Sequence, residues 1–278
     1  MSYALHDRVV LITGASSGIG RACAIEFHRA GARVAIAARS ANKLDALAAE
    51  LSRDRVLPVR MDVTLAEDRT EGLRLVRDRF GPVDVLVNNA GWASFSSVLN
   101  CPPEHVARML ALNFEAPLRL IQMVLPEMLF RRTGQIINVS SVVGSQPMPR
   151  MAVYCATKAA VTALTTALRM ELRGTGVDAL LVSPGSTDTA FFQSAGTVDV
   201  RAVRLAQVQS SAERVARAVV RSSRRRRREV TLTPTGRLIT ALRRASHRLA
   251  DDLIYHFSKR AMPEAAMDSP PSAGERTT

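Results

Sequence analysis

Lysine is almost missing from this chain: among 38 basic residues only Lys43, Lys158 and Lys259 are lysines. A genome biased toward arginine codons accounts for the ratio, and it makes each surviving lysine a position to inspect. Cysteine is scarce too. Cys23, Cys101 and Cys155 show no CxxC or other metal-ligand spacing, so no metal site is expected and reduced thiols of a cytoplasmic protein are. Apolar content is 47%, yet no run approaches membrane-spanning length, which points to a soluble protein. The segment Met1–Asp7 has no apolar signal core, which argues against secretion. Internal repeats and linker-like stretches are likewise missing, and the 278 residues are read as one main domain with a tail.

Acidic residues are sparse only toward the end. Residues 1–200 carry 21 basic against 18 acidic side chains, and residues 201–278 carry 17 against 7. The run Arg224–Arg228 has no interleaved aromatics and precedes an expected strand at 229–233. It reads as a solvated loop, and no nucleic-acid partner is expected.

What is present begins with Val9–Gly20, in which four apolar residues, a loop of glycines and small hydroxyls, and a helix-forming stretch follow one another. Gly14 permits a sharp turn, Gly18 a close backbone approach to a pyrophosphate, and Gly20 tight packing of helix on strand. The helix start offers free N–H groups and the positive end of its dipole to phosphate. Further strands are expected at 33–39, 56–61, 83–88, 135–140 and 177–183. Helices alternate with them, including a region from Pro102 to about Phe130 broken near Pro117 and a long helix from Val153 to about Arg173. Ser40 and Thr64 read as helix caps, and Ser210 with Glu213 as a capping box. Short apolar strands alternating with helices predict an α/β parallel sheet covered on both faces.

Tyr154 and Lys158 stand i and i+4 on the long helix, so both side chains leave one face. A phenol with a reference pKa near 10 is a poor proton-transfer group at neutral pH, and a nearby ammonium favours its ionised form. Cys155 has no histidine partner close in sequence and is not read as a nucleophile.

In order along the chain stand Thr13–Gly20, Asp62-Val63, Asn88-Asn89-Ala90-Gly91, Asn113, Ser140-Ser141, Tyr154-Cys155-Ala156-Thr157-Lys158, and Ser183-Pro184-Gly185 with Thr187 and Thr189. Together they resemble the short-chain dehydrogenase/reductase family over residues 8 to about 233. The resemblance implies a doubly wound Rossmann sheet of about seven strands in the order 3-2-1-4-5-6-7. It implies a catalytic set of Asn113, Ser141, Tyr154 and Lys158. Ser141 would hydrogen-bond the substrate oxygen, and Asn113 would hold a water against Lys158. It also implies cofactor contacts from Gly14, Ser16, Ser17, Gly18, Ile19 and Gly20, from Asp62 and Val63, and from Asn89, Ala90 and Gly91. Tyr154, Lys158, Pro184, Gly185, Thr187 and Thr189 complete that set, Thr189 serving equally as an N-cap for a short helix. Cys155 and Thr157 depart from residues common in the family, but both are small and leave the chemistry intact.

Where an NAD enzyme of this architecture carries an acid after its second strand, this chain has Ala38 and then Arg39. A guanidinium pairs with a 2′-phosphate that an acid would repel, so NADP(H) is expected over NAD(H), with Lys43 as a helper. The expected activity is hydride transfer to or from a small-molecule carbonyl or alcohol. The alternative is a dinucleotide-binding sensor or scaffold without turnover. Trp92, Phe95, Gln146, Met148, Met151 and the region 190–209 would shape the substrate site, unless they are plain core or lid packing. A homodimer or homotetramer is expected through helices around 104–130 and 153–173.

Residues 234–262 form an amphipathic basic helical extension, with Leu238, Leu242, Ala245, Leu249, Leu253 and Phe257 on one face. It packs on its own domain, on a partner subunit, or, through residues 234–260, peripherally on an anionic membrane. Residues 263–278 read as a disordered end.

Overall fold

The computed structural model describes residues 3–185, 210–232, 242 and 246–261, the last five without their side chains. Seven parallel strands form one sheet in the order β3-β2-β1-β4-β5-β6-β7. They are β1 (Val9–Thr13), β2 (Arg33–Ala38), β3 (Val56–Arg60), β4 (Val85–Asn88), β5 (Gly134–Val139), β6 (Val177–Ser183) and β7 (Glu229–Thr231). The expected fold class and strand order are both found.

Strand β1 shows why the sheet forms. All five of its residues are buried, and they alternate between two cores. Val10 and Ile12 enter the core under α1 (Gly18–Arg29), α2 (Ala41–Leu51) and α7 (Ala212–Arg224), beside Phe27, Leu44 and Val219. Val9 and Leu11 enter the core under α3 (Ala66–Phe80), α5 (Ala116–Phe130) and α6 (Ala152–Glu171), beside Val76, Leu120 and Leu168. With both faces covered, the central strands have no use for polar residues, hence their nearly continuous apolar runs.

The order reverses between β1 and its neighbour β4, where crossovers leave to opposite sides and a crevice opens at the strand ends. Every expected cofactor motif among the described residues lies at the carboxyl end of a strand or just beyond it.

The helical region from Pro103 is interrupted near Pro117 as expected, just before this proline, which stands at the start of α5. The interruption is a π-helical turn, Ala111–Glu115, between α4 (Pro103–Leu110) and α5, and it carries Asn113. Several local expectations need correction. Thr64 does not cap α3. Its N–H and hydroxyl both donate to Asp62 Oδ1, at 3.0 and 2.7 Å, and Leu65 takes the N-cap position. Ser40 occupies the N-cap of α2 but forms no capping bond through its side chain. Ser211, not Ser210, caps α7, accepting from the Arg214 N–H at 3.2 Å.

The run Arg224–Arg228 is exposed and forms the end of α7 and the turn into β7. Arg226 there donates to Asp178 Oδ2 at 2.5 Å and to the Gly176 carbonyl at 3.0 Å. In the tail, α8 spans His247–Ala261. Its buried stripe is Ala250 and Ile254, while Leu249 and Leu253 are 59% and 41% exposed, so the expected single apolar face is split between two adjacent stripes. Residues 234–241, 243–245 and 262–278 lie outside the described residues, as do Thr187, Thr189 and the expected substrate region 190–209. Among the described residues no helix is long and apolar enough to cross a membrane.

Candidate active site

The crevice at the β1/β4 reversal is a cleft of about 640 Å³, within the size range of small-molecule and cofactor sites. One wall is the turn after β1. Gly14 and Gly18 adopt φ of 65° and 53°, the left-handed region that favours glycine. A Cβ on Gly20 would lie 2.2 Å from the Gly14 carbonyl oxygen, so this glycine lets the helix start nest against the turn. Ser17, the N-cap of α1, forms no capping bond through its side chain, so the first-turn amides of α1 have no partner from their own cap. An anion suits that place.

Polar clasps hold the neighbouring strand ends together. Thr13 Oγ1 accepts the N–H groups of Asn89 and Ala90 at 3.0 and 3.1 Å. Asn89 Nδ2 donates back to the carbonyls of Thr13 and Gly14 at 3.0 and 3.3 Å. Deeper down, Asn88 Nδ2 donates to Asn138 Oδ1 at 2.8 Å, and Asn138 Nδ2 to Thr165 Oγ1 on α6 at 2.9 Å. Asn88 and Asn89 thus brace the floor, and Ala90 and Gly91 present backbone to the cleft.

At the deep end stand Ser141, Tyr154 and Lys158, all lining the cleft. Ser141 follows β5 and hydrogen-bonds the Tyr154 phenol, while Ser140 turns to the other side, donating to the Lys158 carbonyl at 2.9 Å. Lys158 Nζ donates to the Val139 carbonyl at 3.0 Å and lies 5.8 Å from the centre of the Tyr154 ring. Burial and the neighbouring Cys155 raise the Tyr154 phenol above its ordinary value, and the Ser141 hydrogen bond offsets this only in part. Burial pulls the Lys158 ammonium down to about 8. The protein alone therefore drives both groups toward their neutral forms. The expected lowering of the phenol by the lysine is not found; burial raises it, and the one group that lowers it is Ser141.

Asn113 stands behind this wall, only 1% exposed. Its Oδ1 accepts the Trp92 N–H at 2.8 Å, and its Nδ2 donates to the Trp92 carbonyl at 2.8 Å and to Thr157 Oγ1 at 3.1 Å. Both amide hydrogens are spent on these partners, so the side chain clasps Trp92 and makes no direct bond to Lys158. Thr157 in turn donates to the Tyr154 carbonyl at 2.8 Å, coupling the π turn to the helix that carries the tyrosine. That linking role was invisible in the sequence, because it depends on α6 crossing the π turn.

At the opposite end the cleft is lined by Arg39, Ser40 and Lys43, by Asp62, Val63 and Thr64, and by Arg108 and Leu112. Burial pushes the Asp62 carboxyl up. The two Thr64 hydrogen bonds and the nearby Arg39 and Arg108 guanidinia outweigh it and hold the group below the usual carboxylate range. Pro184 and Gly185 close the cleft beyond β6; Ser16 and Ile19 line it as well. Arg108 carries no sequence signal, since it reads as one more arginine on the solvent side of an amphipathic helix. Trp92, Phe95 and Met151 are buried in a cluster with Tyr154 and Cys155, against which Met148 packs. Burial raises the Cys155 thiol, as befits a packing residue.

A profile described as short chain dehydrogenase matches residues 8–199. An uncharacterized oxidoreductase of Staphylococcus aureus is 35% identical over 230 residues, spanning 83% of this chain and 98% of that protein. The fold matches a short-chain dehydrogenase from Sphingobium yanoikuyae in complex with NADPH, at 34% identity and TM-score 0.75, covering 88% of this chain and 96% of that one. It also matches a short-chain dehydrogenase/reductase from Burkholderia phymatum in complex with NAD, at 25% identity and TM-score 0.80, covering 89% and 96%. This chain belongs to the short-chain dehydrogenase/reductase family of oxidoreductases. One neighbour holds NADPH and the other NAD, so the choice of coenzyme rests on this chain's own residues.

Proposed function

We propose that this protein is an NADP(H)-dependent oxidoreductase acting on a secondary alcohol, ketone or aldehyde of an apolar small molecule. The observation that carries the reading is one cleft with Ser141 beside the buried Tyr154 and Lys158 at one end and Arg39, in place of an acid, at the other. The residues present fit a dinucleotide: the glycine turn and the open start of α1 suit its pyrophosphate, and Ala90 and Gly91 line the cleft beside them. The nicotinamide, when bound, supplies the site that gives or takes hydride.

The chain's own residues supply the rest. Tyr154 holds the proton that the substrate oxygen gains on reduction or loses on oxidation, and Ser141 orients that oxygen. Lys158 sits where it can take the ribose hydroxyls in place of the Val139 carbonyl and bias the phenol. Asn113 acts through Trp92 and Thr157, keeping the backbone beside Gly91 and the Tyr154 helix in register. Pro184, Gly185, Thr187 and Thr189 are assigned to the nicotinamide side by family likeness. An apolar substrate is favoured by the Trp92, Phe95, Met148 and Met151 cluster behind Tyr154. A sensor that binds the dinucleotide without turnover would have no need of this buried phenol and ammonium.

Two attachments are proposed as well. Leu110, Met123, Phe130 and Met170 are exposed on α4, α5 and α6, as a homo-oligomer interface requires, and light scattering checks it. On α8, exposed Leu249, Leu253 and Tyr255 favour a peripheral contact with an anionic membrane, checked by cosedimentation with anionic and neutral liposomes.

The function itself is tested by titrating NADPH and NADH into the protein, then following nicotinamide absorbance over a panel of ketones, aldehydes and alcohols. Tighter NADPH binding with turnover on an apolar carbonyl is the expected result. Tighter NADH binding, or binding with no turnover on any class of carbonyl, overturns it.

A further inference from the structure

Trp92 is the chain's sole tryptophan, and it is buried and held from several sides. Asn113 takes its backbone N–H and carbonyl. His105 meets the ring edge-on, with centroids 4.9 Å apart and planes at 87°. His105 Nδ1 is itself hydrogen-bonded to Ser94 Oγ at 2.9 Å. Arg108, one helical turn beyond His105, lays its guanidinium over the ring face, with Cζ 4.2 Å from the centroid.

A guanidinium stacked by its face keeps its N–H groups in the plane, aimed away from the platform. Those are the donors that match a phosphate bidentately. Because the ring is held, Arg108 loses little further freedom on gripping an anion. Its position is informative too. Arg108 lines, from α4, the same cleft as Arg39 and Lys43, and makes no ion pair among the described residues. Asp62, which also lines it, feels the charge of both Arg39 and Arg108.

The geometry points to Arg108, seated on Trp92, as a second reader of the adenosine 2′-phosphate, clamping it together with Arg39. This rests on the NADP(H) reading and names a residue that determines it. Trp92 is the platform, a positioning residue that acts through the arginine.

The test is calorimetric titration of NADP⁺ and NAD⁺, which differ only in the 2′-phosphate, into the full chain and its variants, with no turnover required. Arg108→Gln is expected to weaken NADP⁺ about tenfold and NAD⁺ by less than about twofold, with Arg108→Lys in between, because lysine keeps the charge but loses the fork. Trp92→Leu, which leaves the charge in place, is expected to weaken NADP⁺ alone by a few-fold. Should that core variant fail to fold, the two Arg108 variants decide, since Arg108 is an exposed helix residue. Equal weakening of both coenzymes assigns Arg108 to the shared pyrophosphate and overturns the inference, as does an unchanged NADP⁺ affinity. A wild-type chain that prefers NAD⁺ overturns the underlying coenzyme reading instead, so the two failures are distinguishable.

Discussion

At the deep end of the cleft Tyr154 and Lys158 are buried, and burial drives both toward neutrality. At the adenosine end Arg39, Lys43 and Arg108 are exposed and Asp62 is held ionised. The difference matches what the proposed function asks of each end. Moving a proton needs groups whose charge states lie close in energy; burial brings the Lys158 ammonium nearer to that balance and takes the Tyr154 phenol further from it, the Ser141 hydrogen bond recovering only part. Reading a phosphate needs charge that never changes, and water-exposed guanidinia supply it without the desolvation cost of buried ions. The first end is accordingly tied down by backbone and hydroxyl hydrogen bonds. The second is shaped by ionic groups on strand ends and one stacked arginine.

The largest expected effect breaks the deep end alone. Tyr154→Phe removes the proton-bearing hydroxyl, and turnover on an identified substrate should fall by about a thousandfold or more, while NADP⁺ affinity measured by calorimetry stays within about threefold. Loss of coenzyme binding in step with turnover would erase the distinction between the ends. The mirror experiment is the pair Ala38→Asp with Arg39→Ser, which places an acid where the 2′-phosphate is expected. NADPH affinity should drop by about ten- to a hundredfold and NADH affinity rise, with turnover at saturating coenzyme little changed.

A third measurement separates the ends by pH. Lys158 titrates at about 8 in the fold against an ordinary 10.5. Because the folded value is lowered, the unfolded chain binds the extra proton between these two values, and stability rises with pH across that window. Below pH 8 the full cost of burying the ammonium is present; it is relieved as the pH climbs to 10.5. Lys158→Met should therefore be more stable than the parent at pH 7, by on the order of 1–3 kcal/mol, with the gain fading toward pH 10.5. Denaturant melts over that range would show it, and a gain independent of pH would assign the effect to packing instead. The smallest effect belongs to salt. Raising ionic strength should weaken NADP⁺ a few-fold more than NAD⁺, because only the exposed adenosine end is open to screening.

Much of this was legible in advance, and for identifiable reasons. Strand β6 was expected at 177–183 and runs Val177–Ser183, since a doubly covered strand is written as a continuous apolar run. Gly14, Gly18, Arg39, Asp62, Gly91, Ser141, Tyr154 and Lys158 were singled out and all line one cleft, because the first six follow strand ends that the strand order brings together and α6 carries the last two against them. Pro117 marked the interruption, a π turn that ends just before it, since a proline has no N–H to give the preceding turn. Thr64 misled because its hydroxyl had a closer customer in Asp62. The hydrogen-bonding roles of Thr13, Asn138 and Thr157 were not legible, as a hydroxyl or amide shows its purpose only when a partner from another element arrives.

The sequence by itself determined the strands, their alternation with helices and the turns that need glycine, since these depend on short-range periodicity and local backbone sterics; the strand order came with the family resemblance. Only the tertiary structure decided the balance of charge and the clasps. Burial set Lys158 to about 8 and raised the Tyr154 phenol, because desolvation depends on everything packed around a group. The pairing of Asn113 with Trp92 spans 21 residues and that of Asn113 with Thr157 spans 44. Arg108 became a wall of the cleft through its stack on the tryptophan, a contact set by where α4 lies across the strand ends.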